Sequence, residues 1–170
     1  FTPLDGLLMG TRSGAVDPSV VTYIMNKEGK TPDEMSDLMN KKSGLLGVSG
    51  LSSDARDVVS AAKEGNARAQ LTNDMLRYQI KKYIGSYAAA MGGLDAVLFT
   101  GGIGENSWEL RDEVCAEMEF LGLKLDPNEC DRNTGDDHKI SAADSKVEVW
   151  VIPTNEELMI AKDTVEIISR

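Results

Sequence analysis

The sequence predicts an α/β fold in which helices cover the faces of a mostly parallel sheet. Two short apolar runs, 95–99 and 147–152, lie between turn-forming residues and are typical of buried strands. Helices are predicted before the first run, between the two runs and after the second. Strands that alternate with helices usually pair in parallel, and such sheets bind ligands at the carboxyl ends of their strands.

Length and composition narrow the function classes. The chain has 170 residues, the size of one ordinary domain, and 18 basic against 28 acidic residues give a formal net charge of −10. This balance argues against nucleic acid or anionic lipid as the main partner. No apolar run reaches the roughly 18 residues that a membrane helix needs, and two cysteines fit a reducing cytoplasm. Because the chain begins with Phe1 and shows no signal peptide, we expect it to be a piece of a longer protein.

Local capping signals place several helices in the first half of the chain. Asp17 before Pro18, and Thr31 before Pro32, each pair an N-cap residue with a proline suited to the first helical turn. The glycine-rich stretch 43–53 is predicted to be a loop. The helices predicted in this half cover about 19–26, 31–42, 54–63 and 67–90.

The second half is predicted to carry a turn and a helix after each strand. Ser107 is expected to cap a helix that runs to about Phe120, and 156–169 to form the last helix. Residues 123–125 are predicted to form a small strand.

Residues 126–146 are polar, acidic and poor in periodicity. We therefore predict a variable surface segment with room for one short strand. His138 lies in this segment and is expected to be exposed. Together with Cys115 and Cys130 it lacks the spacing of a zinc site.

The strongest candidate for chemistry is the run GGIGEN at 101–106, directly after the first predicted strand. Its glycines let the backbone approach a ligand closely, and the start of the next helix offers N–H groups to an anion. The run is not a Walker A loop, because no Gly-Lys-Ser/Thr follows. It is not the dinucleotide fingerprint either, because Ser107 occupies the third glycine position. The glycines alone leave a nucleotide-binding turn and a tight structural turn equally open.

Three further positions are weaker signals. Arg12, flanked by small residues, can place a guanidinium on a phosphate or carboxylate, or it can simply be solvated. In the stretch 52–56, Ser53 or Asp54 is more readily explained as a helix N-cap than as a binding residue. Glu156, just after the second strand, can help hold Mg²⁺ or can stabilise the first turn of a helix.

Taken together and in this order, four motifs resemble the acetate kinase family, and the resemblance extends over essentially the whole chain. The matching stretches are FTPLDGLLMGTRSG at 1–14, SSDARD at 52–57, FTGGIGEN at 99–106 and VIPTNEEL at 151–158.

The resemblance implies a ribonuclease H-like, actin-like ATPase domain, an α/β domain with a mixed sheet and helices on its faces. It implies that 1–170 is a single C-terminal nucleotide-binding domain of a two-domain acetate kinase whose N-terminal domain is absent from the sequence. The family transfers a phosphoryl group reversibly from ATP to acetate, giving acetyl phosphate and ADP, with Mg²⁺. A cytoplasmic homodimer that associates through this domain is also implied, with no nucleic acid or membrane partner.

Site residues are implied position by position. Arg12 resembles the active-site arginine that binds the transferring phosphoryl group, and Glu156 resembles a carboxylate that helps place Mg²⁺. Residues 54–56 resemble the segment that touches the sugar and base of the nucleotide, and 102–106 the adenosine turn. The implied nucleotide-binding residues are Asp54, Ala55, Arg56, Gly102, Ile103, Gly104, Glu105 and Asn106.

Two alternatives remain open. The first is a propionate kinase or another short-chain acyl kinase, because the acyl pocket of the family lies mostly outside this segment. The second is a non-catalytic dimerisation or interaction module of the same fold. The family's phosphate loop, second arginine, catalytic aspartate and histidine all precede the matching segment, so the isolated chain is expected to be catalytically incomplete.

Overall fold

The computed structural model describes residues 2–130 and 135–169. The chain forms two compact units, Phe1–Ile84 and Gly85–Arg170. The division falls inside the longest helix, so one helix contributes to both units.

The first unit is built from helices. Asp17 accepts a hydrogen bond from the Ser19 amide at the start of the first helix, and Thr31 forms a capping box with Glu34 at the start of the second. These local caps confirm the predicted helix starts. The helices are α1 (Pro18–Glu28), α2 (Pro32–Lys41), α3 (Gly44–Ser49), α4 (Ala55–Lys63) and α5 (Ala67–Met91), the last of which continues into the second unit.

Helix α3 lies where a loop is predicted, so that prediction was wrong for 44–49. No side chain of the described residues caps this helix. Its first amide groups donate instead to backbone carbonyls far away in sequence, Leu45 to Met9 at 2.8 Å and Leu46 to Gly10 at 3.0 Å. Leu45 is 2% exposed and anchors the helix in the core. A short helix satisfied by tertiary contacts leaves no local capping signal in the sequence.

Helix α5 is confirmed, but its buried face is narrow. Ala69, Thr72 and Leu76, three and four residues apart, are buried. Tyr78 and Tyr87, which contribute to the apolar periodicity of the sequence, are exposed. Apolar spacing therefore predicts the helix correctly without identifying the side that is buried.

The second unit contains a three-stranded sheet in the order β1-β3-β2. Strands β1 and β3 are parallel, with Val97 opposite Val149 and Phe99 opposite Val151, and β2 is antiparallel to β3. The α/β class and the mixed sheet are thus confirmed. The elements are β1 (Ala96–Phe99), α6 (Gly101–Asn106), α7 (Trp108–Cys115), a 3-10 turn (Glu119–Leu121), β2 (His138–Lys139), β3 (Glu148–Val151) and α8 (Glu156–Ile168).

Two predicted elements are shorter than expected. Ser107 caps α7 as predicted, but the helix ends at Cys115, because Glu117 adopts a φ of +64° that a right-handed helix cannot contain. Leu123 and Leu125 make single bridges, to Val147 and Ser141, and do not form a strand.

Within 126–146, residues 131–134 lie outside the described residues. The short strand expected there is present as β2, and Ile140 is fully buried. His138 is not exposed as expected: its side chain is 17% exposed, and Nε2 lies 3.1 Å from Glu129 Oε2. Part of this segment therefore contributes to the core of the second unit. In the part of the chain that the structure describes, no helix has the length and apolar character needed to cross a membrane.

Candidate functional site

Arg12 lies in a short loop, residues 9–13, that is held by backbone hydrogen bonds. The Met9 amide donates to the Arg12 carbonyl at 3.0 Å, and the Ser13 amide to the Met39 carbonyl at 2.9 Å. The half-buried Arg12 side chain donates through Nη1 to the Pro3 carbonyl at 2.9 Å. Among the residues that the structure describes, that bond engages one of the five N–H groups of the guanidinium. The loop therefore fixes the backbone of Arg12, while its side chain lies at the surface.

Close packing against α3 fixes the shape of this loop. Gly44 has a φ of +61°, and a Cβ atom there would lie 2.0 Å from the Met9 carbonyl oxygen and 2.7 Å from that of Arg12. No side chain fits at this distance, and a positive φ also favours glycine. Gly44 is therefore required for the 9–13 loop to adopt its observed position.

Asp54 is the N-cap of α4, as the structural interpretation predicts. It accepts from the Arg56 amide at 2.9 Å and forms an ion pair with Arg56, Oδ2 to Nη2 at 2.5 Å. Hydrogen bonds from the Arg56 side chain, and then from its backbone, lower the pKa of Asp54 to about 2. The ion pair is solvent-accessible, since the Arg56 side chain is 89% exposed. Ala55, between these two residues, is the first residue of α4 and half-buried.

The Arg12 loop and the 54–56 segment adjoin within the first unit. A Cβ atom on Gly10 would lie 3.0 Å from the Ser53 carbonyl oxygen. The loop backbone thus passes directly against the residue that precedes Asp54. This contact brings together two of the sequence-predicted candidates.

In the second unit, the GGIGEN run forms a short helix of six residues, α6, where a turn is predicted. Gly101 has a φ of +71°, and a Cβ on Gly104 would contact the Phe99 backbone at 3.4 Å. Gly102 differs from both, because its φ is not in the left-handed region and a Cβ there would meet no atom within 4 Å. Asn106 Nδ2 donates to the Gly102 carbonyl at 2.9 Å, and the neighbouring Ile103 is exposed.

Glu105 connects the turns that follow the two parallel strands. Its Oε1 accepts from the Thr154 amide at 2.8 Å and from the Thr154 hydroxyl at 3.0 Å. The Thr154 amide is the main cause of the lowered pKa of Glu105. The Glu105 carboxylate therefore joins α6 to the segment after β3. Because β1 and β3 are parallel, their carboxyl ends lie at the same edge of the sheet, as predicted.

Glu156 is the first residue of α8, directly after the Asn155 cap, and it is exposed. Mg²⁺ in phosphate-transfer sites commonly uses one or two carboxylates together with phosphate oxygens and water. Among 2–130 and 135–169, no group of three or more His, Cys, Asp or Glu residues could hold a metal by itself. A single exposed carboxylate suits a metal held largely by a phosphorylated ligand, so the donor set fits Mg²⁺ in that form.

The candidates thus fall into two sets. Arg12 and 54–56 lie in the first unit, and 102–106 and Glu156 in the second.

Sequence reasoning missed Thr154 as the partner of Glu105. It also missed Arg111, which is 1% exposed and donates to the carbonyls of Gly104 and Glu105. A signal was present: Arg111 stands three residues before Val114 and four before Cys115, on the apolar side of α7.

Comparison with known proteins identifies similar chains along the whole sequence. The model of the acetokinase family matches residues 1–162. The acetate kinase of Bacteroides thetaiotaomicron is 57% identical over 170 residues, which is all of this chain and 43% of that protein. The acetate kinase of Treponema denticola is 58% identical over 168 residues, 99% of this chain and 42% of that protein.

Solved structures give a consistent result. The crystal structure of Porphyromonas gingivalis acetate kinase matches with a TM-score of 0.92 and 53% identity, over 98% of this chain and 42% of that one. A propionate kinase from Francisella tularensis matches with a TM-score of 0.84 and 40% identity, over 94% and 40%. These matches confirm the actin-like α/β fold. The chain spans about two fifths of the length of these relatives.

Proposed function

Because the chain belongs to the acetokinase family, we propose that it forms the C-terminal nucleotide-binding part of an acetate kinase. The reaction is the reversible transfer of a phosphoryl group from ATP to acetate, which gives acetyl phosphate and ADP. The observation that carries this proposal is 57% identity to an acetate kinase over the whole chain. The isolated chain is proposed to be catalytically incomplete, since it spans about two fifths of its relatives.

Arg12 is proposed to stabilise the transferring phosphoryl group. Charge spreads over the equatorial phosphoryl oxygens in the transition state, and a guanidinium held by a fixed backbone stabilises that charge without reorganisation. The hydrogen bonds that hold the 9–13 loop supply the fixed backbone. The half-buried side chain lies at the surface and its hydrogen bond to Pro3 is exposed, so the guanidinium is accessible to a substrate.

The nucleotide is proposed to contact 54–56 and 102–106. Gly102 supports this assignment, because neither backbone conformation nor packing within the described residues requires a glycine there. A glycine with open space beside it lets a ligand approach the backbone closely. Asp54 and Arg56 offer an exposed carboxylate and guanidinium to the polar groups of a sugar and base.

Glu156 is proposed to help hold Mg²⁺, directly or through water. When bound, Mg²⁺ neutralises phosphate charge during transfer. Glu156 would contribute a negative ligand at the carboxyl end of β3. We also propose that the full-length protein is a cytoplasmic homodimer. This part of the proposal rests on the family resemblance alone.

The proposal is tested with the full-length protein that contains these residues, supplied with ATP, Mg²⁺ and either acetate or propionate. Hydroxylamine traps the acyl phosphate as a coloured hydroxamate. We expect turnover with acetate at a higher kcat/KM than with propionate, because the relatives that are 57% and 58% identical over this chain are acetate kinases.

Three results would change the proposal. A higher kcat/KM for propionate would replace the proposed substrate with propionate. Turnover of neither acid would favour the non-catalytic module. Turnover by the 170-residue chain alone would contradict its catalytic incompleteness.

A further inference from the structure

Arg111 is a buried cation on α7 whose hydrogen bonds go to backbone carbonyls. Nη1 donates to Gly104 and Glu105, each at 2.8 Å, and Nη2 donates to Cys130 at 2.9 Å. No carboxylate of the described residues forms an ion pair with its guanidinium. Gly104 and Glu105 belong to the last turn of α6. Their carbonyls are among those that the end of a helix leaves without an intrahelical partner. Arg111 therefore serves as a side-chain cap for α6, supplied by the next helix.

Stability alone does not account for an arginine at this position. Burial lowers the pKa of Arg111, because desolvation penalises its charge. The Nε–H group has no hydrogen-bond partner among the described residues, and an unmet buried donor also costs stability. A well-packed apolar side chain of similar volume would avoid both costs.

The guanidinium does provide a fixed position for α6. This helix has six residues, three of them glycine, so it is too short and too flexible to keep its shape alone. A planar guanidinium that donates to two successive carbonyls fixes both the rotation of the last turn about the helix axis and its position along that axis. The Glu105–Thr154 bonds hold the same turn through a side chain.

We propose that Arg111 is a positioning residue for nucleotide binding, which holds the backbone of 102–106 in the conformation that receives the adenosine. This inference rests on the proposed function of the 102–106 turn. Arg111 does not touch the nucleotide; it acts through the carbonyls of Gly104 and Glu105. Pre-organising a flexible turn lowers the entropy that binding would otherwise have to supply.

The test compares three variants of the full-length protein. Arg111→Met removes the donors and keeps most of the volume, and Arg111→Lys keeps the charge without the planar guanidinium. Val114→Ala is the matched control, because Val114 is fully buried on the same helix and has an apolar side chain that cannot donate to α6. Calorimetry measures the Kd of Mg-ADP, steady-state kinetics measure KM for ATP and for acetate, and thermal unfolding measures stability.

We expect Arg111→Met to raise the Kd of Mg-ADP and KM for ATP about tenfold or more, because a misplaced turn loses its contacts. KM for acetate should stay within about twofold, and Arg111→Lys should fall between Arg111→Met and wild type. Val114→Ala should lose thermal stability while keeping the wild-type Kd. A purely structural role of Arg111 would not raise the Kd of Mg-ADP and KM for ATP while leaving KM for acetate unchanged.

Equal Kd values for wild type, Arg111→Met and Val114→Ala would overturn the inference and leave the proposed function intact. If Arg111→Met does not fold, Arg111→Lys decides the matter, and a wild-type Kd in that variant overturns the inference. Wild-type protein that does not bind Mg-ADP overturns the proposed function itself, and this inference with it.

Discussion

The two compact units hold their candidate residues by different means. In the first unit, the 9–13 loop and α3 hold each other through backbone hydrogen bonds and a glycine that tolerates no side chain. In the second unit, α6 and the segment after β3 begin at the ends of paired strands, and side chains join them, Glu105 to Thr154. A site fixed by backbone contacts depends on single glycines, whereas a site at strand ends depends on individual polar side chains.

The largest expected effect is on the backbone contact of the first unit. Gly44→Ala should destabilise the protein by about 3–5 kcal/mol, because the new Cβ meets the Met9 carbonyl and the residue keeps a positive φ. Denaturant unfolding measures the change. Gly29→Ala is the control, since Gly29 has a φ of +66° and no atom within 4 Å of the added Cβ. It should lose only about 1–2 kcal/mol. Equal losses in the two variants would show that the contact with the loop is unimportant.

The next effect concerns Arg12 in the full-length protein. Arg12→Ala should lower kcat roughly a hundredfold or more, the scale of losing one strong transition-state donor. Stability should change little, because the side chain makes one exposed hydrogen bond, to Pro3. Single-turnover kinetics and thermal unfolding separate the two effects. A decrease in kcat below about threefold would remove Arg12 from the proposed chemistry.

A smaller effect should separate two glycines of α6. Gly102→Ala should leave stability unchanged or slightly higher, because alanine favours a helix and the space is open. It should raise the Kd of Mg-ADP about tenfold, because the added methyl group occupies the surface that the ligand approaches. The same two quantities, stability and the Kd of Mg-ADP, are measured for Gly104→Ala as the comparison, because its added Cβ would lie against the Phe99 backbone at 3.4 Å and not in open space. Unchanged binding in Gly102→Ala would favour a purely structural turn.

The smallest effect is the pH dependence of the Asp54–Arg56 pair. The pKa of Asp54 is about 2, below its usual value near 3.9. The contribution of this pair to stability is therefore complete above about pH 4 and is lost as the pH falls through about 2. Carboxyl ¹³C chemical shifts follow the titration. Arg56→Met should return the pKa of Asp54 toward its usual value, and the same low pKa in that variant would show that Arg56 is not the cause.

These contrasts also explain what could be predicted from sequence. Proline-associated caps, the two buried apolar strands and the strand-end position of 102–106 are marked by neighbouring residues, so they could be predicted. Helix α3 could not, because its amides bond to Met9 and Gly10, far away in the chain. The Glu105–Thr154 contact joins residues 49 positions apart, and no local pattern marks Glu117 for a positive φ.

The candidate site shows the same difference between features marked by neighbouring residues and contacts between distant ones. Family motifs identified the candidates at the surface, Arg12 and Glu156 among them, because each lies inside a short recognisable stretch. The supporting residues Gly44 and Arg111 act through backbone carbonyls of other segments, and such contacts leave only weak marks in a single sequence. Apolar spacing predicted α7, and the position of Arg111 on its apolar side marks the arginine, but this spacing does not indicate the carbonyls to which Arg111 donates.

The central proposal is that 54–56 and 102–106 both contact an adenine nucleotide, and hydrogen exchange of the full-length protein tests it most directly. Amide exchange is measured by mass spectrometry with and without saturating Mg-ADP. We expect slower exchange in peptides that cover 54–56 and 102–106, and unchanged exchange across 138–148, which contains β2 and the start of β3. Unchanged exchange at both candidate segments under saturating Mg-ADP would contradict nucleotide binding by these segments.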